Sequence, residues 1–181
     1  LSDSKFLNSA KILFLLQIVG ILFLVVHFDL IVNDIKVPLI NFFLEYKVLS
    51  YLFFTFCLLI VTNGTNFIDG LNNLVIGYYL IILSLILFIG LDKAIINLDV
   101  IISKYIIILI FLFIFNILNK LYLGDSGSYL IGFLYGYFLI DINSSNPLIS
   151  PYFIALLLWY PAFENLFSII RKKIIKLDPL D

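Results

Sequence analysis

Two short segments carry residues whose types and spacing could do chemistry. The first, Thr62 to Asn73, reads TNGTNFIDGLNN, a polar loop interrupting two apolar spans. Asn63, Asn66, Asp69 and then Asn72 or Asn73 recur at steps of three or four residues, so on a helix they lie near one face. Carboxamides offer paired donors and acceptors to a nucleobase, and a carboxylate can hold a metal or accept from sugar hydroxyls. The same residues could instead provide interfacial solvation, with Asp69 as a helix N-cap. The second segment, Tyr122 to Ser128, reads YLGDSGS. Gly124 and Gly127 let backbone approach a ligand closely. A helix starting near Ser126 would aim its free N–H groups at an anion such as phosphate. Asp125 is a hard oxygen ligand suited to Mg²⁺, which binds diphosphates through one or two carboxylates. No Gly-Lys-Ser/Thr follows, so the segment is not a Walker A loop. The alternative is a glycine-rich turn capped by Asp125.

The elements that must position these residues follow from composition. Of 181 residues, 63% are hydrophobic and 13% are charged, and the mean hydropathy is +1.16. A soluble domain of this size has nowhere to bury so much apolar surface, so the solvent is lipid. A net charge of −1 excludes a strongly basic nucleic-acid binder, and the single Cys57 excludes an internal disulfide framework. Charges are costly in a bilayer, so charge-free runs mark the spans. They cover residues 12–26, 48–68, 70–91, 105–119, 126–140 and 142–163, the last with a helix beginning near Pro151. Three runs are short, and Lys11, Lys104 and Lys120 can lengthen them by snorkelling. The expected fold is all-α: a polytopic membrane helix bundle of about six transmembrane helices, forming one domain over residues 1–181.

Six spans put the N-terminus, both segments and the tail on one side. That side carries Lys5, Lys11, Lys120, Arg171, Lys172, Lys173 and Lys176, against Lys36, Lys47, Lys93 and Lys104 on the other. The excess makes the first side cytoplasmic. The loop at 27–47 is outside and suits a short hairpin, which Pro38 keeps short. His27 is a solvated residue of that outer side. Ser128, Gly132 and Gly136, spaced by four, form a small-residue stripe for close helix packing, and Gly77 is a weaker case. Two acids and a basic tail on one face suit a divalent metal and a phosphorylated substrate. The competing class is a non-enzymatic channel, transporter half or scaffold. It is disfavoured because the acids gather at one face and avoid the span centres.

NGTNFIDGLNNL, YLGDSGS and YPAFENLFSIIRKK resemble, in order and along essentially the whole chain, three signatures of the polyprenyl-phosphate N-acetylhexosamine-1-phosphate transferases. The resemblance implies an integral-membrane, Mg²⁺-dependent enzyme of the inner (cytoplasmic) membrane. It would move a sugar-1-phosphate from UDP-N-acetylhexosamine to polyprenyl phosphate and so initiate a surface glycan. Carried over by motif, Asp125 is the magnesium ligand and, with Asp69, catalytic. Asn66, Gly70, Leu71 and Asn72 belong to the nucleotide and catalytic surface, and Tyr122 takes the uracil-stacking position. Asn116 is one residue short of a further family Asn. The resemblance involves no nucleic acid and allows a homodimer. Departures are Asn72 and Glu164, where Asp is common, and Asn73, where Gly is usual. An acidic motif is expected before Leu1 and a histidine motif after Asp181, so the chain is expected to be a fragment, inactive alone. A homologue without turnover is the alternative within the family.

Overall fold

Where lipid surrounds a chain, backbone polar groups are satisfied only within helices or closed barrels. The charge-free Leu/Ile/Phe runs accordingly fold as helices. The computed structural model describes residues 10–31, 34–70, 73–89, 98–145 and 149–175, and every regular element among them is helical. The helices are α1 (Ala10–His27), α2 (Pro38–Leu44), α3 (Lys47–Ile68), α4 (Leu74–Ile89), α5 (Leu98–Ile117), α6 (Gly124–Ser145), α7 (Pro151–Leu157) and α8 (Trp159–Ile174). α3 and the Val100–Ile117 part of α5 are each long and apolar enough to cross a bilayer unaided. α7 and α8 make a third span if the bent pair counts as one, and Ile12–His27 and Leu74–Ile89 are shorter apolar helices. The chain is a polytopic membrane helix bundle.

α3 is the hub, with α1, α2, α6 and α8 all packed on it. Small residues bring the backbones together, as they must where lipid supplies no hydrophobic drive between helices. A Cβ on Gly132 of α6 would lie 2.8 Å from Thr65 Cβ and 3.0 Å from Thr62 Cα, and one on Gly136 would lie 3.0 Å from Val61 Cγ1. The expected stripe on α6 is therefore the α3 interface. Gly77 is less tightly placed, its Cβ meeting only Phe113 at 3.5 Å. A closer approach was not anticipated: a Cβ on Gly64 would sit 1.9 Å from the carbonyl oxygen of Pro161 in α8.

Three expectations change. Pro38 opens α2 rather than limiting a hairpin, because proline is pre-organised for the first helical turn. Thr62–Ile68 is not a loop; it forms the last two turns of α3, held by α1, α6 and α8. The sixth run does begin its helix at Pro151, but it bends by 61° between α7 and α8. Pro161 has no N–H to give Leu157 O, four residues back. The Tyr78 hydroxyl donates to that carbonyl instead, and its ring meets Tyr160 edge-on at 5.7 Å.

Candidate active site

The close α3–α6 contact sets the end of α3 beside the start of α6. Asn66 Nδ2 donates to Ser128 Oγ at 2.9 Å and to Asp125 Oδ1 at 3.4 Å. Ser128 is fully buried and bonds back to the Gly124 and Asp125 carbonyl oxygens at 3.1 and 3.0 Å. One carboxamide from the first segment thus ties together the first turn of the second. Asp69 is half-buried in the turn after α3. Burial, and then the nearby Asp125 charge, hold its carboxyl above the ordinary carboxylate range. Asp69 is the C-cap of α3, its N–H donating to Asn66 O at 3.2 Å, and not an N-cap of the next helix.

The loop into α6 is shaped by the end of α5. Asn119 takes a left-handed φ of 53°, with Lys120 N bonded to Phe115 O and Asn119 N to Asn116 O, both at 3.0 Å. This is a Schellman turn with Asn at the position that otherwise favours Gly. Asn116 is buried and donates to Leu121 O at 2.9 Å, pinning the same loop; its Oδ1 has no partner among the described residues. Gly124 has φ +58°, which an L side chain rarely adopts, and α6 starts there, two residues before the expected Ser126. A Cβ on Gly127 would lie 3.2 Å from Leu123 Cδ2, so this glycine lets Leu123 pack close to the first turn of α6. The position after the first motif's Asn72 also needs a left-handed backbone. Asn73 has φ 66°, which accounts for Asn replacing the usual Gly.

Not every expected residue converges. Asn66 and Asp125 do, and the Asp125 charge acts on Asp69. Gly70 is exposed, and a Cβ there would meet nothing. Tyr122 is exposed, its hydroxyl 3.4 Å from Asn119 Oδ1, and it does not line the cleft beside Asp125. Leu71 and Asn72 lie outside the described residues.

That cleft, about 880 Å³, runs between α1, α3 and α6. Asn66, Asp125 and Ser126 line one part of it. Leu13, Phe14, Ile21, Leu24, Leu130 and Phe133 give it apolar walls. Lys172 of α8 also lines it, with Nζ 5.8 Å from the Phe67 ring centroid, a cation–π distance. Sequence reasoning had not assigned Ser128, Thr62, Gln17 or Lys172 to a site. Gln17 was findable: it is the one strongly polar side chain in the 12–26 run. Lys172 was visible only as part of a basic tail. No three His, Cys, Asp or Glu side chains converge as a metal cage among the described residues. Asp69 and Asp125 nonetheless fit Mg²⁺, which takes one or two carboxylates and completes its shell with water and substrate phosphates.

The helix bundle, the two carboxylates Asp69 and Asp125 at one end of it, and a cleft with apolar walls define a multi-pass membrane protein with acids beside an apolar cleft. Residues 3–143 match glycosyl transferase family 4, and the chain belongs to that family. It is 30% identical over 176 residues to the probable undecaprenyl-phosphate N-acetylglucosaminyl 1-phosphate transferase of Bacillus subtilis (strain 168). That alignment covers 94% of this chain and 48% of the relative, so the chain spans about half the relative's length. No solved structure matches it.

Proposed function

We propose that this chain belongs to an enzyme that transfers a sugar-1-phosphate, N-acetylhexosamine-1-phosphate, from a UDP-sugar to polyprenyl phosphate at the cytoplasmic membrane face, initiating a surface glycan. The observation that carries the reading is Asn66 of the first motif bonded to both Asp125 and Ser128 of the second, beside a cleft with apolar walls. Such a place lets a water-soluble nucleotide meet a lipid acceptor.

In this reading a phosphate oxygen of the lipid attacks the β-phosphorus of the nucleotide sugar in line. A new P–O bond joins the two phosphates, the bond to the α-phosphate's bridging oxygen breaks, and UMP leaves. Positioning and charge neutralisation do most of the work in such transfers. Mg²⁺, when bound by Asp125 and Asp69, supplies the positive charge that offsets the diphosphate. Asn66 fixes the Asp125 carboxylate by donating to Oδ1. Tyr122, exposed two residues before Gly124, offers a ring to the uracil, and Gly70, Leu71 and Asn72 are assigned to nucleotide binding by their place in the first motif.

The test uses the full-length protein in nanodiscs with Mg²⁺, UDP-N-acetylhexosamine and polyprenyl phosphate. Release of UMP with matching lipid-linked sugar is expected. No UMP and no lipid-linked product with any UDP-sugar would overturn the reading. Orientation is tested by labelling Lys120→Cys and Lys36→Cys in a Cys57→Ala background. Lys120→Cys should react only from the cytoplasmic side, and reaction of both from one side would refute the topology.

A further inference from the structure

The end of α3 that presents Asn66 is built from poor helix formers, Asn63, Gly64, Thr65 and Asn66. Propensity does not fix its rotation about the helix axis, so contacts must. Thr65 is fully buried and placed to do so. Its hydroxyl donates to Val61 O at 2.8 Å and lies 2.8 Å from the hydroxyl oxygen of Tyr79 in α4. A threonine hydroxyl has one hydrogen, and Val61 O takes it, so Tyr79 donates and Thr65 accepts. A threonine that only bonds back to its own helix tends to loosen and bend it. The Tyr79 hydroxyl adds a fixed point from a second helix.

α6 closes the arrangement. A Cβ on Gly132 would lie 2.8 Å from both Thr65 Cβ and Thr65 Oγ1, so Thr65 has no room to swing toward that helix. Tyr79 is itself fully buried, and its ring stacks on Tyr135 of α6 with centroids 4.9 Å apart. Gly132 and Tyr135, three residues apart, share one face of α6. α3, α4 and α6 therefore meet at one hydroxyl pair, a single residue before Asn66. Asn66 is sensitive to that lock, because its bond to Asp125 Oδ1 is already long at 3.4 Å. Side-chain tips lie about 5–6 Å from a helix axis, so a rotation of about 10° moves one by about 1 Å. That would part Asn66 from Asp125. We infer that Tyr79 is a positioning residue for the transfer reaction: its hydroxyl, acting through Thr65, sets the rotation of the α3 end and with it the contacts of Asn66 with Asp125 and Ser128. The role rests on the transferase reading and adds to it a residue outside both motif segments.

The experiment uses the full-length protein in nanodiscs and has two readouts. One is the kinetics of UMP release. The other needs no turnover: the Mg²⁺ concentration that gives half of the Mg²⁺-induced rise in Tm, without substrates. Tyr79→Phe keeps the ring and its stack on Tyr135 and removes the hydroxyl. It should lower kcat about tenfold, since misplacement by about 1 Å can cost up to about 100-fold. KM for either substrate should stay within about twofold, and the Mg²⁺ midpoint should rise about five- to tenfold. Thr65→Val should do the same, and the double variant should be no worse than either single one, as for residues that act in series. Thr65→Ser keeps the hydroxyl and should stay near the wild type. Tyr135→Phe, which removes a neighbouring hydroxyl and keeps its ring, should leave both readouts within about twofold. Unchanged kcat and Mg²⁺ midpoint in Tyr79→Phe would overturn the role. So would a lowered Tm and kcat with the wild-type Mg²⁺ midpoint, since Tyr79 would then serve general packing. Losses that multiply in the double variant would show that Tyr79 does not act through Thr65, and would also overturn it. A Mg²⁺ midpoint that responds to Tyr79→Phe, without UMP release from any UDP-sugar in the wild type, would sink the transferase reading and leave the positioning standing. UMP release indifferent to Tyr79→Phe would do the reverse.

Discussion

Both ends of the bundle carry acids, and they treat them in opposite ways. At the end that carries α2, Asp29 accepts from the Tyr51 hydroxyl and pairs with Lys47 Nζ at 2.9 Å. Asp34 accepts from Lys36 N at 2.6 Å and from the Asn41 carboxamide. These donors push both carboxyls below the ordinary range: Tyr51 and then Lys47 for Asp29, the Lys36 N–H and then Asn41 for Asp34. At the other end Asp69 is half-buried, and the charge acting on it is the second carboxylate of Asp125. An acid ringed by donors ties loops together. An acid placed near its own sign is held at a cost that a bound cation would relieve, and such perturbed groups concentrate at working sites.

The largest expected effect tests that division directly. Asp125→Asn keeps shape and removes charge. Losing a carboxylate that holds a catalytic metal costs several kcal/mol of transition-state stabilisation, so UMP release should fall roughly 100-fold or more while membrane insertion is retained. Asp29→Asn at the opposite end should leave turnover within about threefold, because screened surface pairs contribute little. Comparable losses in the two variants would erase the distinction between the ends.

Next in size is the backbone packing that assembles the acidic end. Gly64→Ala drives a methyl to within 1.9 Å of the Pro161 carbonyl oxygen, an atom that can yield only if α8 moves. Overpacking of this kind costs about 1–3 kcal/mol or more. Gly77→Ala meets only the edge of Phe113 at 3.5 Å and should be close to neutral. Thermal unfolding in detergent would compare them. A Gly64→Ala protein as stable as Gly77→Ala would show that α8 does not rest on α3 as described.

The spans were legible in the sequence because a charge in lipid is expensive enough to punctuate the chain, and Pro151 marked a helix start for the same local reason it is tolerated there. The end of α3 was not legible. Asn63, Gly64 and Asn66 read locally as a loop, yet Asn63 is held by Gln17 of α1, Gly64 by Pro161 of α8, and Asn66 by α6. Those partners lie far along the chain, and tertiary contact overrides weak helix propensity. The acidic pair was legible as two motifs predicted to share one face. The Gln17–Asn63 contact was not, because it joins single residues from separate helices.

A smaller effect concerns the bend between α7 and α8. Pro161 leaves Leu157 O without its helical donor, and Tyr78 supplies one. Tyr78→Phe would leave that carbonyl unpaired in an apolar setting, at a cost of about 1–3 kcal/mol. Reduced thermal stability in detergent is expected as α8 relaxes. An unfolding temperature equal to that of the wild type would show that Tyr78 does not replace the donor that Pro161 lacks.

The smallest effect is a matter of sign between the two ends. An acid whose folded-state pKa is raised binds its proton more tightly when folded, so its contribution is fully present below the unfolded value, 3.8 for Asp69, and is lost as pH rises through the raised folded value. Once Asp69 is ionised, the folded state carries the cost of burying that charge and of holding it near the Asp125 carboxylate. Asp69→Asn should therefore remove a decline in Tm over the window just above 3.8 and leave the variant slightly more stable than the wild type at neutral pH. Asp29 is depressed from 3.8, so its contribution is present above that value and is lost as pH falls through the lower folded value. Asp29→Asn should remove a loss on the acid side instead. The Asp69 shift in Tm should be on the order of 1 °C, because solvent reaches a half-buried carboxylate and screens it. Adding Mg²⁺ should stabilise the wild type and shrink the gap to Asp69→Asn, since a bound cation offsets the repulsion that the substitution removes. Matching pH profiles for Asp69→Asn and Asp29→Asn would show that the two acids sit in equivalent surroundings, and the contrast between the ends would fail.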